Sequence, residues 1–273
     1  MLEIDDLVNV EHLRDLAADG KGFGVRTVIL DTGVDDSHPD LTASIAETRA
    51  IVRNGARFQC VSVSDGDPVG HGTACAGIIH SIAPEAEIHS VRVMGRDATG
   101  TIEQLIEGLR WAIDQDYDVI NLSLGTLQRR SAITLHELID KAYFKGQIVV
   151  AAANNQRRVS FPAQFASLVA VDSQAFKNNT DFHYCLGQPV ELVAHGIYVK
   201  APAPGGGYRW YTGTSFACPH ISGLATRLKS QIPKLTLFQL KSLLWCLRAD
   251  CVGHSRVGTR ETDRRGHLLP KRQ

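Results

Sequence analysis

The sequence has no excess of charge of either sign, because 29 lysine and arginine residues balance 29 aspartate and glutamate residues. This balance removes the electrostatic case for nucleic-acid binding, which depends on an excess of positive charge. The sequence also has no apolar run long enough to cross a membrane, no internal repeat and no low-complexity linker. We therefore expect one domain over residues 1–273, with no nucleic-acid or membrane partner.

The chain starts without the features of a secretory signal. Residues 1–6 are acidic and no apolar core of the needed length follows them, so we expect no signal peptide. Residues 1–21 are interpreted as a short N-terminal extension. In it, residues 10–18 are expected to form an amphipathic helix that packs on the body of the protein instead of inhibiting it. An excised domain with a methionine placed before it is the alternative.

Six cysteines are spread along the chain, a number unusual for a secreted protein unless they are paired. Cys75 and Cys218 fall in predicted helices, where small buried thiols are the simplest interpretation. Cys246 and Cys251 are near enough in sequence for a local disulfide, but free thiols in a reducing compartment are favoured. We therefore expect a cytoplasmic protein.

The order of apolar segments predicts an α/β fold. β-Branched and aliphatic runs alternate with amphipathic segments, which is typical of a parallel sheet with helices on both faces. The chain is also long enough to bury one large core. The predicted strands are residues 27–30, 88–93, 119–122, 148–152 and 168–171. The predicted helices are residues 73–81, 102–114, 134–145, 214–231 and 238–246.

One basic cluster interrupts the charge balance near the end of the chain. It consists of Arg256, Arg260, Arg264, Arg265, Lys271 and Arg272. A solvated tail is the simplest interpretation of this cluster, and contact with an acidic substrate or partner is the alternative.

The most informative motif is Gly-Thr-Ser-Phe-Ala-Cys-Pro-His at residues 213–220. It runs into an apolar helical pattern and so places Ser215 at the N-terminus of a helix. There, backbone N–H groups and the positive end of the helix dipole favour the negative charge that develops when a serine attacks a carbonyl. From this segment alone, a helix cap and a nucleophile are equally good interpretations of Ser215.

Two upstream segments favour the nucleophile. Asp31 ends a buried-strand pattern and precedes a glycine turn, and His71 lies between glycines at the start of a small-residue helix. A serine hydroxyl needs a base to take its proton, and an imidazole is a good base when its other nitrogen is held. Asp31, His71 and Ser215 therefore form a candidate catalytic triad.

Together these motifs resemble those of the subtilisin family of serine proteases, the subtilases. The order Asp, His, Ser is that of subtilisin. The match continues into Ser-His-Pro-Asp-Leu at residues 37–41 and Ile-Ser-Gly at residues 221–223, and it extends over residues 22–270. The resemblance implies a three-layer sandwich, with a mostly parallel central sheet between two layers of helices, and serine endopeptidase activity.

The resemblance also implies an oxyanion hole, the set of donors that stabilises the tetrahedral intermediate. A strand ends in Ala-Ala-Ala-Asn-Asn at residues 151–155, which aligns Asn155 with the family's oxyanion-hole asparagine. The second expected donor is the Ser215 backbone N–H. Asn154 replaces a glycine of the family, and we expect it to keep a turn at positive φ. Its side chain would then either crowd the pocket or become the donor itself.

A cleft for an extended peptide between two strand edges is implied as well. Its walls resemble Asp-Ala-Thr-Gly at residues 97–100, for which a surface turn is the alternative, and Ser-Leu-Gly at residues 123–125. Ile102 and Leu124 are expected to line a hydrophobic subsite for the residue four positions before the cut. A neutral pocket floor at Ser160 predicts no strong demand for charge at the cut. The expected substrate-binding residues are Ala98, Thr99, Gly100, Ile102, Ser123, Leu124, Gly125 and Ser160.

The chain also departs from the family. Relatives often insert a calcium-binding loop where residues 80–84 pass directly onward, and Asp40 alone matches a ligand position. We therefore predict no tight calcium site, no metal and no cofactor. Too few residues precede Asp31 for the folding pro-domain of secreted relatives, so we expect unaided folding, unless a pro-segment has been removed. His220 is interpreted as structural.

Three functional hypotheses follow. The first is an intracellular serine endopeptidase that cuts a precursor peptide or one partner protein at a defined position. The second is a broad degradative subtilisin whose export signal and pro-segment have been removed. The third is an inactive binding module, which the intact Asp31, His71, Ser215 and Asn155 disfavour. The expected partner is a peptide or protein substrate, and an activating or substrate-presenting protein is left open.

Overall fold

The computed structural model describes residues 9–249 and contains a nine-stranded sheet and a separate two-stranded sheet. Its helices are α1 (Val10–Asp19), α2 (His71–Ile82), α3 (Ile102–Asp114), α4 (Ala132–Phe144), α5 (Thr214–Gln231) and α6 (Leu237–Leu247). Its strands are β1 (Arg26–Asp31), β2 (Ile45–Asn54), β3 (Arg57–Ser62), β4 (Glu87–Arg92), β5 (Val119–Leu122), β6 (Ile148–Ala152), β7 (Val169–Gln174), β8 (Phe182–Tyr184), β9 (Leu192–His195), β10 (Val199–Ala203) and β11 (Gly207–Tyr211).

The large sheet is mostly parallel, with the strand order β3-β2-β4-β1-β5-β6-β7-β9-β8. The strands β2, β4, β1, β5, β6, β7 and β9 run parallel, whereas β3 and β8 pair antiparallel at the two edges. Because parallel strands end at the same edge of a sheet, the carboxyl ends of β1, β5 and β6 lie side by side. Ligands of such sheets bind at this edge.

Helices cover both faces of the large sheet. In β1, Val28 and Leu30 pack into the core beneath α3 and α4, whereas Ile29 packs into the core beneath α2. In β6, Val149 joins the core of α3 and α4, and Val150 joins the core of α5 and α6. Both faces of these strands are therefore buried, which explains their continuous apolar runs. The expected three-layer α/β sandwich is confirmed.

The predicted elements match the observed ones to within a few residues. The bounds of α3, α5, β5 and β6 agree with the predicted ranges, and α2 begins two residues before the predicted start, at His71. α3 begins at a capping box, in which Thr101 and Gln104 bond to each other's backbone N–H groups. The sequence predicts neither β2 and β3 nor β8 to β11.

α1 packs on the body of the protein, as expected for the amphipathic segment. Leu13 and Ala17 are buried in the core formed with α5 and α6, and Arg227 Nε donates to the Gly20 carbonyl at 2.8 Å. Within residues 9–249, no helix combines the length and apolar character that crossing a membrane requires. The basic cluster at residues 256–272 and Cys251 lie outside the described residues.

Cys60, Cys75 and Cys218 are free thiols, whereas the expectation for the pair Cys246 and Cys251 stays a prediction, because Cys251 lies outside the described residues. Cys75 and Cys218 are fully buried inside α2 and α5. Burial raises the pKa of both of these thiols, so both remain protonated near neutral pH and behave as small apolar side chains.

Candidate active site

Asp31 is the last residue of β1 and is fully buried. Its Oδ1 accepts one hydrogen bond from the Thr32 N–H at 2.7 Å and another from His71 Nδ1 at 2.7 Å. The other carboxylate oxygen, Oδ2, has no hydrogen-bond partner in residues 9–249. A buried carboxylate is unfavourable without hydrogen-bond donors, and His71 Nδ1 is one of the two donors that Asp31 has. Losing that hydrogen bond would therefore be costly, so the His71 imidazole is held in one orientation.

A second buried carboxylate, Asp67, organises the turn that leads into α2. Its oxygens accept five hydrogen bonds of 2.8 to 3.0 Å, from Thr32 Oγ1, Val69 N, Gly70 N, Thr73 N and Thr73 Oγ1. Asp67 therefore fixes both the end of the turn and the first turn of α2, which begins at His71. Asp67 is a positioning residue that no motif in the sequence indicates.

The start of α2 lies unusually close to the end of β1. A Cβ atom at position 72 would be 2.0 Å from the Gly33 carbonyl oxygen and 3.1 Å from Asp31 Cβ. The Gly72 N–H donates to Thr32 Oγ1 at 3.0 Å. Glycine is therefore required after His71 because no side chain fits between the helix and the strand.

His71 is the first residue of α2, and its side chain is partly exposed. Because an ionised carboxylate only accepts hydrogen bonds, Nδ1 carries a proton and Nε2 of the neutral ring is an available base. Burial is the largest influence and by itself lowers the pKa of His71, but the charge of Asp31, its hydrogen bond to the ring and the contact with Cys75 together raise the pKa above its ordinary value. The imidazole packs against Phe216, with the ring centroids 5.0 Å apart.

Ser215 is the second residue of α5 and is partly exposed. Cys75 Sγ lies 3.5 Å from the Ser215 carbonyl oxygen and 4.0 Å from His71 Nδ1, so α2 and α5 meet at this thiol. In the part of the chain that is described, the Ser215 hydroxyl makes no hydrogen bond to His71. Asp31 and His71 are thus hydrogen-bonded to each other. Ser215 lies beside them, but the hydrogen bond between its hydroxyl and His71 is not formed. Without substrate, such contacts are often long.

A buried polar chain supports the backbone of Ser215. The Ser215 carbonyl accepts from Ser123 Oγ at 2.7 Å, and Ser123 Oγ in turn accepts from Asn121 Nδ2 at 3.0 Å. Asn121 Oδ1 accepts from Ser222 Oγ at 2.8 Å, which connects β5 to α5 about two turns after Ser215. Ser123, predicted as part of the substrate wall, therefore also holds the residue that carries the candidate nucleophile.

Asn155 follows β6, and its side chain is hydrogen-bonded to the N-terminus of α5. Its Oδ1 accepts from the Thr214 N–H at 2.9 Å and lies 3.2 Å from Thr214 Oγ1. Since a backbone N–H only donates, this contact identifies the amide oxygen, and Nδ2 points away from Thr214. Thr214 Oγ1 also donates to the Ala153 carbonyl at 2.7 Å. Thr214 is thus a positioning residue that the sequence analysis missed.

The expected backbone conformation of Asn154 is wrong. Asn154 is not at positive φ, and the left-handed residue of this turn is Arg157, with φ of 55°. The chain bends three residues later because the Arg157 N–H donates to the Asn154 carbonyl at 2.9 Å. The Asn154 side chain is used by the same turn, since its Oδ1 accepts from the Gln156 N–H at 2.9 Å.

All the predicted substrate-binding residues line one or both of two neighbouring cavities. The first cavity, of about 210 Å³, lies beside Ser215 and is lined by residues that include Ser123, Leu124, Gly125, Asn155 and Ser160. The second cavity, also of about 210 Å³, is lined by residues that include Ala98, Thr99, Gly100, Ile102, Leu124 and Gly125. Leu124 and Gly125 line both cavities and form their common wall. Ser160 is buried at 4% exposure and carries no charge.

The predicted wall at residues 97–100 is both a surface turn and a cavity wall. The Gly95 N–H donates to the Thr99 carbonyl at 2.7 Å, and the Thr99 N–H donates to Asp97 Oδ1 at 3.1 Å. Ala98 adopts φ of 56° at the tip of this turn. The two interpretations of this segment are therefore compatible, since Ala98, Thr99 and Gly100 of the turn also line the second cavity.

His220 is buried inside α5, and its Nδ1–H donates to the Phe216 carbonyl at 2.8 Å. Burial lowers the pKa of His220 to about 4, so the ring is neutral and structural near pH 7, as expected. Asp40, the residue that matches a calcium ligand of the family, instead accepts a hydrogen bond from Tyr208 Oη at 2.5 Å.

The residues whose ligand atoms come close enough to hold a metal ion within residues 9–249 are Asp31, His71 and Cys75, at mutual distances within 4.8 Å. Two of these are the bonded aspartate and histidine of the candidate triad. A metal there would compete with that hydrogen bond, so this arrangement fits acid–base chemistry better than metal binding.

Comparison with known proteins agrees with the motifs. The model of the subtilase family matches residues 22–247. Subtilisin BL from Lederbergia lenta is 35% identical over 234 residues, which cover 82% of this chain and 82% of subtilisin BL. M-protease from Shouchella clausii is 34% identical over 234 residues, which cover 82% of this chain and 58% of M-protease. Among solved structures, that of S41 psychrophilic protease matches with a TM-score of 0.71 and 29% identity, covering 82% of this chain and 83% of that chain.

Proposed function

The chain belongs to the subtilase family and is a serine endopeptidase, and we propose that it cleaves peptide bonds with Asp31, His71 and Ser215 as its catalytic triad. The observation that carries this proposal is the 2.7 Å hydrogen bond between His71 Nδ1 and the buried Asp31 carboxylate. That bond leaves His71 Nε2 as the free base, on a helix that packs against the helix of Ser215.

In the proposed first step, Ser215 Oγ attacks the carbonyl carbon of the scissile peptide bond while His71 Nε2 takes the hydroxyl proton. Asp31 keeps Nδ1–H in place and stabilises the imidazolium that forms. The electron pair of the carbonyl moves onto its oxygen, and the resulting oxyanion accepts hydrogen bonds from Asn155 Nδ2 and the Ser215 N–H. Thr214 orients the Asn155 amide for this role by holding its oxygen.

In the second half, the imidazolium gives its proton to the leaving nitrogen as the C–N bond breaks, which leaves the acyl group on Ser215 Oγ. Water then attacks the acyl carbon, and His71 Nε2 takes a proton from that water. Collapse of the second tetrahedral intermediate breaks the bond to Ser215 Oγ, which regains its proton from His71. The products are a carboxylic acid and an amine.

Covalent labelling with a fluorophosphonate probe tests this assignment. We expect the unaltered protein to be labelled at Ser215, as read by mass spectrometry, because a neutral imidazole activates that hydroxyl. Ser64→Ala, at an exposed serine, is the matched control and should be labelled equally. Ser215→Ala should take no label. A folded, unaltered protein that takes no label at Ser215 would favour the inactive binding module instead.

The pH dependence of kcat/KM should show an acidic limb with a midpoint above the ordinary histidine pKa of about 6.5. Only unprotonated His71 acts as the base, and the Asp31 carboxylate raises the pKa of His71, so activity is lost as the pH falls through this raised value. Initial rates on a neutral peptide at low substrate concentration measure this limb. A midpoint at or below about 6.5 would contradict the proposed coupling between Asp31 and His71.

For the biological role, we favour an intracellular endopeptidase that cuts a precursor peptide or a partner protein at a defined position. The free thiols of Cys60, Cys75 and Cys218 are what a reducing compartment preserves. The uncharged linings of both cavities support the alternative, a broad degradative protease. Digestion of a mixed protein extract followed by mass spectrometry separates the two, because scattered cuts would exclude a dedicated processing role.

A further inference from the structure

Four exposed arginines lie on two segments beside the cavities, and we call them the arginine rim: Arg129, Arg130, Arg157 and Arg158. The two segments are joined by an antiparallel bridge between Thr126 and Phe161, in which each N–H donates to the other residue's carbonyl at 2.8 Å. The bridge brings the arginines that follow Thr126 and those that precede Phe161 to the same side of the cleft.

No carboxylate neutralises the arginine rim within residues 9–249. None of its four members takes part in an ion pair there. The sequence contains no aspartate or glutamate at residues 119–136 or 141–171, the two stretches that hold the rim. The lysines of the second stretch, in contrast, are paired, Lys141 with Asp114 and Lys145 with Asp116.

Each of the two arginine pairs, at residues 129–130 and 157–158, is hydrogen-bonded to a residue that lines one of the cavities. Arg130 Nε donates to Gln128 Oε1 at 3.0 Å, and Gln128 lines the second cavity. The Arg157 N–H donates to the carbonyl of Asn154, which lines the first cavity. No lining residue of either cavity carries a charge. The floor at Ser160 therefore provides no selection for charge, which leaves that role to charged groups outside the linings, such as the arginine rim.

We propose that the arginine rim selects peptides that carry aspartate or glutamate on the acyl side of the cut bond. Arg157 and Arg158 would bind a carboxylate at the residue directly before the cut, and Arg129 and Arg130 a carboxylate at the fourth residue before it. Guanidinium groups bind carboxylates through paired hydrogen bonds, and within residues 9–249 none of these four has a carboxylate partner of its own. This inference rests on the proposed function and adds its substrate class.

Matched quenched peptides test the inference, with glutamate or its neutral isostere glutamine at each of the two positions. We expect the unaltered enzyme to show a kcat/KM about three- to tenfold higher for the glutamate peptides at low ionic strength, since exposed ion pairs are weak individually. The ratio should fall towards one in about 1 M salt, where charges are screened beyond about 3 Å.

Variants assign the effect to the arginine rim. Arg157→Gln with Arg158→Gln should abolish the preference directly before the cut and retain it at the fourth position, and Arg129→Gln with Arg130→Gln should do the reverse. Arg53→Gln, an exposed arginine of β2 that lines neither cavity, should keep both preferences. The inference would be overturned, with the proposed function intact, if the unaltered enzyme cut the glutamine peptides as fast as the glutamate peptides. It would also be overturned if both double variants kept the unaltered ratio of kcat/KM for glutamate over glutamine peptides. Failure to cut any of these peptides, together with no labelling of Ser215, would overturn the proposed function and the inference with it.

Discussion

Asp31→Asn is expected to lower kcat by about 10⁴-fold, the size of the loss when the aspartate of such a triad becomes an amide. The asparagine amide would donate a hydrogen bond where the carboxylate now accepts one from His71 Nδ1. The imidazole would then carry its proton on Nε2, and the base that Ser215 needs would be lost. Steady-state rates on a neutral peptide measure this effect.

Asp65→Asn is the matched control for that experiment. Asp65 is an exposed aspartate of the loop before α2, and its carboxylate pairs with Arg92 and does not contact His71. We expect this variant to keep kcat within about twofold, because an exposed ion pair contributes little. Both proteins should show the circular dichroism of the unaltered protein. A folded Asp31→Asn protein with less than a tenfold loss would contradict the proposed role of Asp31.

Gly72→Ala is expected to destabilise the protein by about 3 kcal/mol, at the upper end of what inserting atoms into a packed site usually costs. The new methyl group would be placed 2.0 Å from the Gly33 carbonyl oxygen, so α2 would have to move away from β1. That movement would lengthen the Asp31–His71 hydrogen bond and lower the labelling of Ser215. Chemical unfolding and probe labelling measure the two effects separately.

Gly207→Ala is the control for the glycine substitution. Gly207 is exposed, and a Cβ atom there would meet no atom within 4 Å. We expect its free energy of unfolding to change by no more than about 0.5 kcal/mol, as for an ordinary surface substitution. An equal and small effect of both substitutions would show that the strand and the helix accommodate a side chain between them.

The sequence predicts best the elements that carry their own local signals. α3 is predicted with its observed bounds because its apolar periodicity starts at a capping box formed by Thr101 and Gln104. β10 escapes prediction because Pro202 and the glycines after Ala203 are typical of turns. It is nevertheless a strand, since it pairs with β11 in a two-stranded sheet of its own, where a proline is tolerated.

The chemistry-bearing residues of the candidate site are predictable for a similar reason, since Asp31, His71 and Ser215 each lie within a distinctive local motif. Asp67 and Thr214 are not, because their importance depends on partners from other segments, such as Thr32 for Asp67 and Asn155 for Thr214. The turn after β6 is mispredicted at Asn154 because the residue at positive φ is Arg157, which is not a residue type that signals a left-handed turn. Hydrogen bonds between residues that are far apart in the sequence leave no local sequence pattern from which they could be predicted.

The contacts of the candidate site span long stretches of chain, which has a consequence for the newly made protein. Asp31 and His71 are 40 residues apart, Asn155 and Thr214 are 59 apart, and Ser123 and Ser215 are 92 apart. Contacts between distant segments form late in folding because closing long loops is slow. An incompletely folded chain therefore lacks the assembled site, and we expect it to show no proteolytic activity until these distant segments have come together.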